Sequence, residues 1–313
     1  MIEAVSILIP VYNCEEFIAE TIESILCQSF SNFELLIADD GSIDKSLEII
    51  KNYAKEDARI TFFSEANKGK CAVLNNLATV AKHDWCVFID HDDVMIPDRL
   101  EKQIKFHNEN PKLMASSSHC YFIDSKNNVI GKQVYFGLSN EEEFQKKQLN
   151  KEFITCAFTA LMVNKSCFIE LGGLRKNFWP SDDLDFTTRL VEKGYKLLII
   201  NDYLMKYRIH PNGTTSSKVI ECAHKLRYTS YCCELRKNGS PEITFDVFME
   251  DFKNKKSLYK IKFWANFYAS NLKRIAGFSY YRKKYLSFVF YILFAFLLRP
   301  SLVINSFRYQ SKK

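Results

Sequence analysis

No aspartate or glutamate occurs between Phe252 and Lys313, a stretch that carries 14 lysines and arginines. The residues before it hold 29 basic and 37 acidic side chains, a net charge of −8 against +14 for the tail. Charge divided so unevenly points to a tail that meets an anionic partner, a membrane surface or nucleic acid. The ten cysteines include no Cys-x-x-Cys pair. That argues against a zinc site and a disulfide framework, and it fits a reducing cytosol. A Gly-x-Gly-x-x-Gly run after the first strand and a Walker A loop are both missing, so nicotinamide and P-loop chemistry are not expected. The apolar run Tyr285 to Leu298 has 14 residues, too short to span a bilayer. No basic leader precedes Ile2 to Pro10, so an N-terminal signal peptide is not expected.

What is present reads as α/β. The 313 residues suffice for one large domain plus an appendage, and 47% apolar content suits a globular core. Val5 to Val11, Phe33 to Ala38, Ile60 to Phe63 and Trp85 to Ile89 are short apolar runs, predicted as strands. Helical spacing lies between them: around Ile18 to Leu26, up to about Lys55, and at Ala72 to Val80. Asn13 is expected to cap the first helix, with Glu16 as its reciprocal partner. Strands alternating with helices mean βαβ units and a parallel sheet. Ligands of such sheets bind outside the carboxyl ends of the strands. Tyr12, Asp39, Asp40, Asn67 and the Asp90–Asp93 cluster all fall at those ends.

The stretch Trp85 to Leu100 is the focus. Asp90, Asp92 and Asp93 crowd a loop just past a strand, before Pro97 at an expected helix start, and the loop is expected to be exposed. Crowded carboxylates raise one another's pKa unless a cation joins them. Mg2+ or Mn2+, shared with substrate phosphates, would relieve that repulsion. The plain alternative is a solvated acidic turn.

The second part is less regular. Strands are expected at Ala115 to Ile123, Val129 to Phe136, Phe153 to Val163 and Tyr195 to Met205. Ser181 is a candidate N-cap for a helix reaching about Lys193, and Asp182 and Asp183 also suit its first turn as plain helix-start residues. From about Lys218 the pattern is helical, aromatic-rich and basic.

The ordered pieces Pro10-Val-Tyr-Asn13, Gln28-Ser-Phe, Phe33 to Ser42, Asn67-Lys-Gly69, Ile89 to Leu100, Gly172-Gly, Asp182 to Arg189 and Tyr207-Arg-Ile-His210 carry a family likeness. Together they resemble the family 2 glycosyltransferases, inverting nucleotide-sugar transferases of the GT-A fold, a Rossmann-like, mostly parallel sheet flanked by helices. The narrower likeness, from Tyr207 to Ser217, is to bacterial transferases of lipopolysaccharide, lipooligosaccharide or capsule sugars. The resemblance implies a catalytic domain over 1–217, with a nucleotide-binding half to about residue 100 and an acceptor half beyond it. Residues 218–313 would form a helical extension.

The resemblance also implies roles. Asp40 would bond the base, usually uracil, and the Pro10–Asn13 loop with Tyr12 would lie along base and ribose. Asn67 and Lys68 would join the nucleotide-sugar site. Asp92 would hold Mn2+ or Mg2+ together with His210, His91 would reach the ribose, and Asp90 the sugar-phosphate. Arg208 would close over the diphosphate. Asp183 would be the catalytic base, six residues before Arg189, with Asp182 as its neighbour; Asp39, Asp93 and Asp182 take secondary places. Asp182 stands where glutamate is commoner in the family, which leaves the choice of base between the two acids. The partners implied are a UDP-sugar donor, a glycan or lipid-linked acceptor and a membrane surface, with no nucleic acid. The location implied is the cytoplasmic, inner face of a bacterial plasma membrane. A Gln-x-x-Arg-Trp run is missing, so single-sugar addition is expected. Two other readings compete. A sugar nucleotidyltransferase would need a glycine-rich loop after the first strand, and a non-catalytic nucleotide-binding module is suggested only by the basic tail.

Overall fold

The computed structural model describes residues 1–304. The last part of the expected basic extension, 305–313, lies outside the described residues. The chain forms two compact units: residues 1–121 with 132–240, and residues 122–131 with 241–313.

The first half of the larger unit alternates β1 (Val5–Val11), α1 (Ile18–Leu26), β2 (Phe33–Asp39), α2 (Ser46–Glu56), β3 (Ile60–Ser64), α3 (Lys70–Val80) and β4 (Trp85–Phe88). A two-residue strand β5 (Val94–Met95) and α4 (Arg99–Glu109) follow. Then come β6 (Leu113–Ile123), β7 (Val129–Gln133), α5 (Glu141–Leu149), β8 (Met162–Asn164), α6 (Lys165–Glu170), α7 (Asp182–Glu192), β9 (Lys196–Arg208), α8 (Thr214–Ser217) and α9 (Val219–Lys237). The sheet order is β3-β2-β1-β4-β8-β6-β9-β5, with β7 beside β6. β1 pairs in parallel with β2 and β4, and β2 with β3. β8 runs antiparallel to β4 and β6, and β5 to β9.

β1 is buried along its whole length, as the central strand of a covered parallel sheet must be. Its alternate residues face opposite sides. Ile7 and Ile9 join Ile18, Ile22 and Ile25 of α1 in one core layer. Leu8 joins Leu74, Leu77 and Ala78 of α3 in the other. The register Val11↔Asp39 and Asp39↔Ser64 ends three strands at one level. Tyr12, Asp40 and Glu65 therefore leave the sheet together.

Several expectations need correction. Asn13 caps no helix: α1 begins at Ile18, after Phe17. Instead Asn13 has φ 48° and ties two loops together. Pro97 lies two residues before α4. Ser181 does occupy the N-cap of α7, but its hydroxyl makes no capping bond. Phe153 to Val163 is not a continuous strand. It holds a 3-10 turn at Phe158–Ala160 and only the short β8. Side chains there replace a strand ladder: Ser117, Arg99 and Gln103 donate to the carbonyls of Ala157, Thr159 and Ala160. The expected boundary near Lys218 falls inside the larger unit. α9 is held to it by Lys225, bonded to the Asn177 carbonyl at 2.6 Å, and by Arg236, bonded to Glu192 at 2.7 Å.

Asp185 of α7 is fully buried, and its carboxylate takes Arg175 at 2.5 Å and Arg189 at 2.9 Å. Arg189 also donates to the carbonyls of Leu171 and Gly173, fixing the Gly172–Gly173 turn to the head of α7. Truncating one partner of a buried ion pair strands the others. Asp185→Ala is therefore expected to cost about 3–5 kcal/mol, measured as a fall in the denaturant midpoint.

The second unit holds α10 (Phe245–Asn254), α11 (Ser257–Tyr281) and α12 (Tyr285–Leu298), together with the tip of the β6–β7 hairpin. Phe122 of that tip packs edge-on against Phe278 of α11, with ring centroids 5.4 Å apart. Among the described residues no helix is long and apolar enough to cross a membrane.

Candidate active site

Asn13 bridges the loops after β1 and β2. Its N–H donates to the Ser42 hydroxyl and its Oδ1 accepts from Ile43 N–H, both at 2.9 Å. Asp40 fixes the third loop. Its two oxygens accept from Lys68 N–H at 2.6 Å and Gly69 N–H at 2.9 Å. Gly41, at φ +75°, lies so close to Asn67 N that a Cβ would stand 3.0 Å from it. Asp40, expected on the base, is thus a loop clamp as well; a carboxylate has about four acceptor positions, so two remain. Asp39 accepts from Ser42 N–H and the Ser64 hydroxyl, and its Oδ1 has no hydrogen bond. A cavity of about 310 Å3 opens here, lined by Asp39, Asp40, Phe63, Lys68, Asn76 and Leu77 among others. Tyr12 is exposed at the rim. The ammonium of Lys68 pairs with Glu65.

The Asp90–Asp93 loop is held largely by its backbone. The Thr21 hydroxyl lies 2.8 Å from the carbonyls of both His91 and Asp93. Gln28 donates to the Ile96 carbonyl and accepts from Leu100 N–H. His91 Nδ1 lies 2.9 Å from the Pro10 carbonyl, which can only accept, so Nδ1 carries the proton. The loop is not exposed as expected: Asp93 is 1% exposed and Asp92 is mostly covered. Asp93 sits underneath, where burial and then the charges of Asp92 and Asp90 push its pKa well up.

Asp92 Oδ2 lies 2.8 Å from His210 Nε2, and the His210 ring stands edge-on to Phe17. Burial alone would raise the Asp92 pKa; the His210 hydrogen bond and the nearby His91 hold it below the ordinary value. Among the described residues no group of three or more His, Cys, Asp or Glu could hold a metal. This pair still fits a cation. Cis ligands of an octahedral ion, each about 2.1 Å from it, stand about 3 Å apart. Such an ion completes its shell with water and substrate phosphate.

Arg208, expected over the diphosphate, is bonded within the protein. It is 3% exposed. Its guanidinium donates to the Asp92 carbonyl at 2.7 Å and to Glu20 at 2.6 Å, and it stacks 4.6 Å over Phe17. Its backbone N–H donates to Asp93 at 2.9 Å. It ties β9 to the acidic loop.

Lys70, which the sequence reading left aside, joins the two halves. Its ammonium lies 2.5 Å from Asp90. Burial works to lower its pKa, but Asp90, Asp182 and Asp183 outweigh that and hold it above the ordinary value. The signal was available: a lysine in the first turn of a helix opposes the dipole and needs a reason. Next to it, the Cys71 thiol donates to Asp182 Oδ2 at 3.3 Å. Asp182 is 4% exposed, whereas Asp183 is only half-buried. Asp183 accepts from Leu184 N–H at 2.8 Å. Burial, then the Asp182 charge, pushes its pKa up to about 7, against the opposing pull of Lys70. The site therefore gathers Asp90, Asp182 and Asp183 around Lys70, while Asp92, on the same loop as Asp90, pairs with His210 from the segment after β9.

The model of the family described as glycosyl transferase family 2 matches residues 6–172. The chain is 33% identical over 213 residues to the uncharacterized glycosyltransferase MJ1057 of Methanocaldococcus jannaschii, covering 66% of this chain and 71% of the relative. It is 28% identical over 216 residues to the putative teichuronic acid biosynthesis glycosyltransferase TuaG of Bacillus subtilis, covering 68% of this chain and 82% of the relative. Its fold is shared with the mannosyltransferase PcManGT of Pyrobaculum calidifontis, solved with GDP-Man and Mn2+ (TM-score 0.59, 17% identity, 94% of this chain and 86% of that one). It is shared also with S. aureus TarS 1–349, solved with UDP-GlcNAc (TM-score 0.58, 16% identity, 96% and 92%). A GT-A sheet with an acidic rim and a matching family model leave one conclusion: the chain belongs to glycosyl transferase family 2 and is a glycosyltransferase.

Proposed function

We propose that the chain moves one sugar, with inversion, from a UDP-linked donor to a hydroxyl of a glycan or lipid-linked acceptor of the bacterial cell surface. The observation that carries this reading is the half-buried Asp183, its pKa raised to about 7, on the rim that also holds Asp90, Asp92 and His210. Asp183 takes the proton of the acceptor hydroxyl. The hydroxyl oxygen bonds to the anomeric carbon as the bond to the nucleoside diphosphate breaks on the opposite face, and the electron pair leaves with the diphosphate. Asp92 and His210 would hold Mn2+ or Mg2+, which when bound offsets charge on the diphosphate. Asp40 and the cavity beside it would take the base, and Pro10, Tyr12, Asn13, His91, Asn67 and Lys68 would frame it and the ribose. Asp90, tied to Lys70, would bound the donor sugar.

Support for a nucleotide-sugar donor comes from the neighbours, one solved with GDP-Man and Mn2+ and one with UDP-GlcNAc. Support for a cell-surface acceptor comes from TuaG, named for teichuronic acid biosynthesis. The place of work would be the cytoplasmic face of the plasma membrane, reached through the basic helical part. Incubation with a panel of UDP- and GDP-sugars should release nucleoside diphosphate with Mn2+ or Mg2+ and not with EDTA; turnover of none of them would refute the reading.

The pH dependence has a definite sign. A base must be ionised, and the Asp183 pKa is raised from 3.8 to about 7. kcat/KM is therefore expected to rise about tenfold per pH unit on the acid side and to level off above about pH 7. A profile flat from about pH 5 would contradict the assignment of the base.

A further inference from the structure

Past Tyr285 at its start, the outward side of α12 carries no polar residue. Leu286, Val289, Phe290, Leu293 and Leu297 recur at spacings of three and four, and each is about half exposed or more. The inward side is apolar too: Phe288 packs on Tyr280 of α11, ring centroids 5.5 Å apart, and Ala295 is fully buried. In water the outward side of a helix carries charge. A continuous apolar strip left bare marks a surface that something covers.

Length and charge say what covers it. At about 1.5 Å per residue, 14 residues reach about 21 Å, short of the roughly 30 Å hydrocarbon core, so α12 cannot cross. Basic side chains bracket it: Arg282, Lys283 and Lys284 before, Arg299 after. No acid occurs from Phe252 onward. Two copies meeting through this face would bring two basic units together with no acid in this stretch to relieve them. An anionic leaflet meets both demands, acyl chains for the strip and phosphates for the ends.

We propose that the α11–α12 hairpin is a monotopic anchor, with α12 lying flat in the headgroup–acyl boundary of an anionic leaflet. Its outward side faces the acyl chains, and Arg282, Lys283, Lys284 and Arg299 lie among the headgroups. This rests on the membrane attachment proposed above and names the helix and the face that make it. Flotation of the full chain on phosphatidylcholine vesicles, with and without phosphatidylglycerol, tests it. The wild type should float with phosphatidylglycerol vesicles at low salt. Leu286→Asp with Leu293→Asp should leave it at the bottom, with circular dichroism melts confirming that the variant is folded. Lys283 and Lys284 each changed to Gln should lower partitioning about fivefold, and Arg282, which faces Asp124 at 3.7 Å, less. A wild type that does not float on phosphatidylglycerol vesicles would overturn the attachment itself. A wild type and double-aspartate variant that float equally would keep the attachment and overturn the α12 face. A wild-type dimer that does not float, and that the double variant dissociates, would make the face an interface between copies.

Discussion

Asp183→Asn is expected to lower turnover by about 10²–10⁴-fold with donor binding little changed. The amide keeps the shape and can still accept from Leu184 N–H, the one hydrogen bond its Oδ1 accepts in the structure. What it loses is basicity. Fold loss cannot mimic this result. A neutral amide also avoids the burial that penalises the carboxylate charge, so at pH 8 the melting temperature should hold or rise. Asp182 supplies the control. Its carboxylate is 4% exposed and holds the Cys71 thiol at 3.3 Å, whereas Asp183 is less covered. Should Asp182→Asn prove inactive and Asp183→Asn active, the base would be the buried acid and the accessibility argument would fall.

Asp92→Ala is expected to cut metal-dependent donor turnover by at least about 10²–10³-fold, since a cation opposite developing charge supplies several kcal/mol. Mn2+ binding in the presence of UDP, followed by electron paramagnetic resonance, should weaken in parallel. The loop should keep its shape in this variant. Arg208 grips the carbonyl of residue 92, which alanine retains. Thr21 grips the carbonyls of residues 91 and 93. Full activity of Asp92→Ala in EDTA would show that neither the carboxylate nor a metal is needed.

Much of this arrangement is legible in the chain. The strands β1 to β4 are apolar runs whose carboxyl ends lead into polar or acidic residues, Tyr12 and Asn13, Asp39 and Asp40, Glu65 and Asp90, and parallel pairing alone brings those ends to one rim. The elements that escape notice do so for physical reasons. Phe153 to Val163 is apolar because it is buried, and its carbonyls are satisfied by distant side chains that no local pattern announces. Helix α5 did have a local sign, Asn140 accepting from Glu143 N–H at 3.0 Å, and Glu143 reaching back to Ser139 N–H. Arg208 resembles a ligand-binding arginine in sequence; its partners Glu20, Phe17 and the Asp92 carbonyl, all far off in the chain, make it a tie as well. Lys70 carries one local sign, a cation at a helix start, but the acids that explain it, Asp90, Asp182 and Asp183, stand on other elements.

The polar grip of α1 and the turn after it on the acidic loop has a consequence for how this site could change over generations. The carbonyls of His91, Asp93, Ile96 and Pro97, and the N–H groups of Met95 and Leu100, are all bound by residues between Thr21 and Ser29. Main-chain atoms are common to every amino acid. A substitution at 91 or 92 can thus alter what the loop binds without altering where it runs. The mould is inherited separately from the chemistry cast in it, and new donor preferences can be tried at single positions while the backbone stands still.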